Sequence, residues 1–385
     1  MGRFTRILLA TSIIGTSVLA LNPARADDSD HLFLATQTNL VSNLPNVAAH
    51  TDPNLTNAWG VAFAPGGAFW INGNNSGFSL LYSGAGVAVA GLPKVTIPLP
   101  APPLRADTGP AAAPTGIIWN PTGGFDLPGT KDAAVFIFDT EDGTISAWNP
   151  AVNLTNAVIA VDNSKVGTGG AVYKGLAFGV TATGAHIYAA NLRAATVDVF
   201  DSTFTPNLVD GAVPNAATAT NIKGTFADPE IPAGFAPFNI QNINGDLFVT
   251  YAKQDAAKHD ETVGAHLGFV DVFSTDGVLL RHFAAGGPLD APWGIVQAPA
   301  SFGAFANDIL VGNFGDGKIN IFDPHGFFIG PLLDTSFKPL VNDELWALTF
   351  GGGSDSTPDT LFFTAGGNNQ TNGTFGSIAL VSPTK

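Results

Sequence analysis

The sequence predicts an all-β protein, a six-bladed β-propeller formed by a single domain. Only 12% of the 385 residues are charged, and 45 glycines and 27 prolines divide the chain into short β-branched and aromatic runs. This composition is typical of many short strands joined by tight turns. One residue pattern also recurs six times at long spacing, and both ends of the chain contain strand-like segments. Repetition on this scale indicates a propeller.

The repeat opens with a bulky residue, usually followed by Gly and then by an apolar run. The six opening residues are Trp59, Thr115, Lys174, Phe238, Trp293 and Trp346. They stand 53 to 64 residues apart, a spacing that fits one four-stranded blade with its loops. Asp-Gly pairs at 142–143 and 276–277 follow runs of the repeat. They predict hairpins, because Gly readily adopts the positive φ of tight turns.

The two ends of the chain are predicted to close the ring. Residues 32–40 precede the first repeat, and residues 376–381 end the last one. A propeller must join its last blade to its first, since open sheet edges favour aggregation. We therefore expect the N-terminal segment to supply the outer strand of the last blade.

Residues 1–26 are predicted to be a signal peptide, and residues 27–385 the propeller domain. Arg3 and Arg6 precede an apolar run, and Ala24 and Ala26 suit cleavage after Ala26. The run is too short for a stable membrane span. We expect an exported protein, periplasmic or extracellular, with no membrane insertion after signal cleavage; an uncleaved anchor is the alternative.

Composition also narrows the possible partners. A formal net charge of −15 repels phosphate backbones, so nucleic-acid binding is not expected. The absence of cysteine excludes disulfides, zinc–thiolate sites and thiol nucleophiles. Familiar catalytic motifs, such as the Gly-x-Ser-x-Gly elbow, are absent from the sequence. The remaining expected partners are a small molecule, a glycan or another exported protein.

Propeller geometry predicts where a ligand site would lie. The start of each inner strand and the end of the following strand meet at one mouth of the central channel, which is the expected location of a site. The candidate ligand-binding residues at this mouth are Trp59, Lys174, Phe238, Trp293, Trp346, Tyr251 and Lys253. Aromatic rings could cover an organic ligand there. The alternative is that they only pack neighbouring blades together.

A second set of mouth residues is a candidate metal site. Its members are Glu141, Asn191, Asn239 and Asn313. Carboxylate and amide oxygens from several segments suit a hard cation, so Ca²⁺ is the candidate cofactor, although the sequence requires none. Each of these residues also has an alternative role in a turn, because Asn tolerates left-handed backbone geometry.

One densely charged stretch follows the second strand of the fourth repeat. It contains Lys253, Asp255, Lys258, His259, Asp260, Glu261 and His266. A long loop on the mouth face is a candidate gate, or it is simply a mobile loop.

Several motifs in order resemble an uncharacterised family of bacterial secreted proteins, some of which end in a PEP-CTERM sorting tail. They include residues 140–145 (TEDGTI), 171–176 (AVYKGL), 287–294 (GPLDAPWG) and 311–317 (VGNFGDG). The chain ends in SPTK instead of such a tail, so release is expected. The architecture is more distantly similar to NHL-repeat and gluconolactonase-type propellers, and this resemblance implies a metal in the channel on carboxylate and amide ligands.

Two functions of different classes remain open. The first is a binding or scaffold propeller with a ligand site at the channel mouth. The second is a metal-dependent, calcium-type hydrolase or lactonase at the same mouth, with Glu141 and the asparagines as ligands and His259 or Lys253 in proton transfer.

Overall fold

The structure is a computed structural model that describes residues 34–102, 104–167, 169–206 and 224–381. These residues form six sheets that stand as the blades of a β-propeller, which confirms the predicted fold. The predicted signal peptide at residues 1–26 lies outside the described residues. The described part of the chain contains no helix with the length and apolarity needed to span a membrane.

The strands follow one another in chain order, with one short 3-10 helix at Gly303–Phe305. The first thirteen strands are β1 (Leu34–Ser42), β2 (His50–Thr51), β3 (Ala58–Ala62), β4 (Phe69–Gly73), β5 (Phe78–Tyr82), β6 (Lys94–Thr96), β7 (Pro114–Trp119), β8 (Phe136–Thr140), β9 (Thr144–Trp148), β10 (Val158–Asp162), β11 (Tyr173–Thr181), β12 (Gly184–Asn191) and β13 (Thr196–Asp201). The next twelve are β14 (Phe235–Ile243), β15 (Asp246–Gln254), β16 (Glu261–Thr262), β17 (Phe269–Ser274), β18 (Leu279–Ala285), β19 (Pro292–Gln297), β20 (Ile309–Asn313), β21 (Ile319–Phe322), β22 (Phe328–Pro331), β23 (Leu345–Phe350), β24 (Leu361–Ala365) and β25 (Thr374–Val381).

Each blade is an antiparallel meander whose inner strand begins with the predicted repeat. Blade 1 consists of β3 to β6, blade 2 of β7 to β10, and blade 3 of β11 to β13. Blade 4 has the order β14-β15-β17-β18, with β16 paired to β15, and blade 5 consists of β19 to β22. Blade 6 has the order β23-β24-β25-β1, and β2 pairs with β1 in parallel.

The first and last described strands close the ring as predicted. β1 lies antiparallel to β25, with Thr36 opposite Ala379 and Ser42 opposite Thr374. The N-terminal segment therefore completes blade 6 after the last residues of the repeat. Backbone groups of β25 that would otherwise form an open edge are paired with a strand from the opposite end of the chain.

The glycine of the repeat marks the point where neighbouring inner strands come closest. A Cβ atom on Gly60 would lie 2.2 Å from the Thr115 carbonyl oxygen, and one on Gly116 would lie 2.4 Å from the Leu176 amide nitrogen. A Cβ on Gly294 would meet the Trp346 carbonyl oxygen at 2.6 Å. In each case the atom that is met belongs to the backbone of the next blade. The motif thus reflects close packing around the axis, since only Gly fits there.

The core lies between the blades. Trp70 of blade 1 stacks on Phe136 of blade 2 with ring centroids 4.3 Å apart, and Phe283 of blade 4 packs on Phe322 of blade 5 at 5.7 Å. Buried apolar clusters of this kind join successive sheets around the ring. Burial of apolar area between sheets stabilises the fold in the absence of disulfides.

Candidate functional site

Four of the predicted ligand contacts form a packed aromatic plug at the channel mouth. Trp59, Phe238, Trp293 and Trp346 are each at most 5% exposed. The Trp59 and Trp346 rings stack with centroids 3.4 Å apart, and Trp293 meets both rings edge-on at 6.3 and 6.0 Å. The structure therefore brings these residues together, but their ring faces are covered by one another.

The channel below the aromatic plug is narrow. Residues from all six inner strands line a void of about 30 Å³ there, which is space for about one water molecule. The Trp346 indole donates a hydrogen bond to Asn57 Oδ1 at 2.8 Å, and the Trp293 indole donates to the Lys174 carbonyl oxygen at 2.8 Å. These bonds hold the rings in place. A small-molecule ligand can therefore bind on the outer side of the plug, at the mouth, but cannot pass the plug into the channel.

A buried lysine sits directly above the plug. Lys174, the second residue of β11, is 1% exposed, and its Nζ atom lies 5.2 Å from the centroid of the Trp59 ring. It donates hydrogen bonds to Glu141 and to Asp260 Oδ1, the latter at 3.0 Å. Glu261 Oε2 lies 3.9 Å from the same nitrogen. We call Glu141, Lys174, Asp260 and Glu261 the Lys174 cluster.

The charged groups of the Lys174 cluster shift one another's pKa values. Burial alone would lower the pKa of Lys174, but Glu141, Asp260 and Glu261 outweigh it and raise the pKa, so the amine stays protonated. Burial raises the pKa of Glu261 to about 7, against the opposing effect of Lys174. Burial would likewise raise the pKa of Asp260, but the hydrogen bond from His259 and the charge of Lys174 lower it well below its usual range.

The predicted calcium ligands are held by separate local partners. Asn191 Nδ2 donates to Asp198 at 3.0 Å, Asn239 Nδ2 donates to the Trp293 carbonyl oxygen at 2.8 Å, and Asn313 Nδ2 donates to the Pro288 carbonyl oxygen at 2.8 Å. Glu141 pairs with Lys174 instead. A calcium site on these four residues stays a prediction, and their present contacts are structural.

Tyr251 and Lys253, two further predicted ligand contacts, differ in exposure. Tyr251 is 4% exposed and packs among apolar side chains between blades 3 and 4. Lys253 is exposed on β15, where it stands opposite Thr262 of the short strand β16. The charged stretch that begins at Lys253 does reach the mouth, since Asp260 and Glu261 belong to it.

An open cleft of about 800 Å³ lies beside the Lys174 cluster on the same face. Arg105, Asp107, Arg193, Asn191 and Lys258 are among its lining residues. Asp107 bridges two arginines, accepting from Arg105 Nε at 2.9 Å and from Arg193 at 2.5 Å. Arg105 also donates to the Glu141 carbonyl oxygen at 2.7 Å. The cleft therefore shares its wall with the Lys174 cluster.

Sequence reasoning missed Arg105, Asp107 and Arg193. The first two lie in the segment between β6 and β7, and Arg193 lies in the turn after β12. None of them occupies a fixed position of the repeat, and the repeat was the only signal that placed residues on the mouth. Burial of the Asp107 carboxylate opposes ionisation, but its bonds to Arg193 and Arg105 prevail and lower its pKa.

A further arrangement at the mouth could hold a cation. One ligand atom each from Glu141, His259 and Asp260 lies within 4.8 Å of the other two. His259 Nδ1 is 3.0 Å from Asp260 Oδ1, and this hydrogen bond raises the pKa of His259 despite burial. In the present arrangement the Lys174 ammonium already supplies positive charge to Glu141 and Asp260.

Comparison with known proteins finds relatives at about one-third identity among uncharacterized proteins of Acanthamoeba polyphaga mimivirus, R648 and L690 among them. The chain is 33% identical over 342 residues to the uncharacterized protein R648 of Acanthamoeba polyphaga mimivirus, which covers 88% of this chain and 78% of R648. No family model matches the chain. The resemblance to a bacterial secreted family stays a prediction.

Solved structures share the architecture at low identity. A Bacteroides thetaiotaomicron protein of unknown function superposes with a TM-score of 0.50 at 11% identity, over 91% of this chain and 77% of that one. Virginiamycin B lyase from Staphylococcus aureus gives a TM-score of 0.49 at 14% identity, over 91% of this chain and the whole of that one. At such identity the first likeness supports the fold alone.

Proposed function

The chain belongs to the same protein family as mimivirus R648, and we propose that it is an exported binding propeller that holds a polar small molecule or a glycan at its channel mouth. The observation that carries this proposal is the cleft of about 800 Å³ beside the Lys174 cluster. Its volume lies in the range of small-molecule sites, and convergent polar groups line it.

The chemistry of the lining favours a ligand with several hydrogen-bonding groups. Arg105 and Arg193 are held in place by Asp107 and by backbone carbonyl oxygens. Side chains fixed in this way lose little further entropy when a ligand binds. Lys258 is exposed at the rim and offers a cation to a carboxylate or sulfate group. An exported protein is the other expected partner, and it would dock on the same face.

A binding screen on the purified protein tests this proposal. Neutral and acidic oligosaccharides and a library of polar metabolites would be screened by thermal shift, and hits measured by isothermal titration calorimetry. We expect at least one saturable ligand, bound at least tenfold more weakly by Arg193→Gln. The matched control is Arg281→Gln, because Arg281 lies on β18 and stacks near Phe248 and Phe283 rather than lining the cleft.

Two results would count against this proposal. A protein that binds none of these compounds does not have the site, and ligands whose affinity is unchanged by Arg193→Gln bind elsewhere. Capture of a single protein partner whose binding depends on Arg193 would identify the alternative occupant. The export part is tested separately, by N-terminal sequencing of secreted protein, for which we expect a start at Asp27.

The second candidate is a metal-dependent hydrolase at the mouth, favoured by the convergence of Glu141, His259 and Asp260. A divalent cation there must compete with the Lys174 ammonium for both carboxylates. In this candidate Glu261, a buried carboxyl next to Asp260, acts as general acid or base. A lactone and ester panel assayed with and without chelator tests it. Turnover lost on chelation and in Glu141→Gln favours the hydrolase, and inactivity toward the panel opposes it.

A further inference from the structure

A second polar cluster lies on blade 4, outside the mouth and its cleft. Asp271 of β17 stands opposite His282 of β18 in the strand register. Asp228, from the segment that leads into β14, approaches the same histidine. The Asp228 and Asp271 side chains are 1% and 3% exposed, whereas His282 is half exposed. The cluster is thus open to solvent on the histidine side only.

The two carboxylates are poorly compensated by the protein. Asp228 Oδ2 and Asp271 Oδ2 are buried and accept no hydrogen bond from the residues that the structure describes. Asp271 Oδ1 forms a hydrogen bond with His282 Nδ1 at 3.2 Å, and Asp228 Oδ2 lies 3.2 Å from the same nitrogen without forming a hydrogen bond. Two buried negative groups facing one imidazole destabilise the fold unless a proton or a cation lies between them.

Tyr251 gives an independent sign of a missing partner. Its hydroxyl is buried and has no hydrogen-bond partner within the described part of the chain. Burial raises the pKa of this phenol, and the charges of Asp271 and Asp228 raise it further, so both carboxylates lie near it. A buried tyrosine hydroxyl is normally bonded. A buried hydroxyl without a partner beside two unbonded carboxylate oxygens points to an ion bound by the carboxylates.

We propose that Asp228, Asp271 and His282 form a binding site for a divalent transition-metal ion of the Mn²⁺ or Zn²⁺ type. One ligand atom from each residue lies within 4.8 Å of the other two. Metal bonds of about 2.0–2.2 Å place neighbouring ligand atoms roughly 3.0–3.5 Å apart, and the observed separations of 3.2 Å match this. An imidazole nitrogen in the set favours a transition ion over Ca²⁺, which takes oxygen ligands.

The surroundings of His282 suit this role. Nδ1 faces the carboxylates, and Nε2 lies 3.6 Å from Glu230 Oε2 on the solvent side. Metal-bound histidines commonly direct their second nitrogen to a carboxylate, which fixes the ring orientation and makes the imidazole a stronger ligand. Pairing between β17 and β18 holds Asp271 and His282 as cross-strand neighbours, so two of the three ligands are preorganised.

Metal titration of the purified protein tests the site. After treatment with chelator and dialysis, Mn²⁺ and Zn²⁺ would be titrated separately by calorimetry, with Co²⁺ absorption as a spectroscopic probe of nitrogen ligation. We expect one ion per chain, with affinity reduced at least tenfold by Asp271→Asn and by His282→Gln. Because the Asp271 variant could fail to fold, the half-exposed His282 provides the second test.

Two control variants separate this site from non-specific binding to surface groups. Asp132→Asn removes an exposed carboxylate between β7 and β8, and His325→Gln removes an exposed histidine from the β21–β22 turn. Both variants should bind the ion as the unchanged protein does. The absence of saturable binding in the unchanged protein would overturn the proposal and leave His282 as a protonated counter-ion of the two aspartates. Binding that survives in His282→Gln, or that is lost in Asp132→Asn or His325→Gln, would overturn it as well.

Discussion

Replacement of Lys174 by methionine should destabilise the fold far more than replacement of a surface lysine. The lysine side chain is 1% exposed, and its partners Glu141 and Glu261 are 11% and 3% exposed. Methionine keeps much of the side-chain volume but leaves these carboxylates without a counter-charge. Removing one partner of a buried ion pair costs about 3–5 kcal/mol, and loss of the contact with Trp59 adds about 0.5–1 kcal/mol.

The assay is equilibrium unfolding in urea, followed by tryptophan fluorescence and circular dichroism at pH 8 and pH 5. We expect the free energy of unfolding to fall by about 3.5–6 kcal/mol at pH 8. The loss should be smaller at pH 5, because protonation of the buried carboxylates removes the unpaired charge. The double variant Lys174→Met, Glu141→Gln should recover part of the free energy lost at pH 8, because one of the unpaired carboxylates has been removed.

Lys318→Met is the matched control. Lys318 Nζ pairs with Asp316 Oδ2 at 2.9 Å, but the two side chains are 38% and 31% exposed. Exposed pairs of this kind contribute about 0–1 kcal/mol. If Lys174→Met costs no more than Lys318→Met, or if its effect is the same at both pH values, the Lys174 cluster is not the buried charge network described above.

Two further predictions concern the axis and the mouth. Gly60→Ala should destabilise the protein by more than about 2 kcal/mol or prevent folding, because the new methyl group meets the Thr115 carbonyl oxygen at 2.2 Å. The control is Gly123→Ala, whose methyl group meets nothing within 4 Å and which should leave stability nearly unchanged. Equal urea midpoints for the two variants would contradict this prediction. Burial raises the pKa of Glu261 from 4.5 to about 7, so the folded state binds the extra proton and this residue makes stability decline as pH rises from about 4.5 to 7. Glu261→Gln should remove that decline from a plot of unfolding free energy against pH, and an unchanged profile would contradict the assignment.

The fold was predictable because the repeat reports a local steric constraint. Gly60, Gly116 and Gly294 recur where neighbouring inner strands leave no room for a side chain, and that constraint is visible in sequence as a period. The closing strand was predictable because the ring must be joined at one blade. The strand-like segment before the first repeat and the last strand of the sixth repeat are the two segments available to pair there.

The site was predictable only in part. Lys174 and Glu141 meet because both lie at strand ends of adjacent blades, which the repeat locates. The burial of Trp59 and Trp346 could not be predicted from the sequence. An aromatic residue at the mouth can either pack against other rings at the axis or stay open to contact a ligand. Arg105 and Asp228 lie in long connections that share no position with other blades, so no period places them.

Closure of the ring by the two ends of the chain has a consequence for biosynthesis. Thr36 can pair with Ala379 only after residue 379 has been synthesised, so blade 6 is completed after the strands of the other five blades are available. Until then, blade 6 lacks its outer strand and the ring is not closed. Contacts so distant in sequence slow the final folding step. Closure of the ring between β1 and β25 is therefore expected to be the last step of folding.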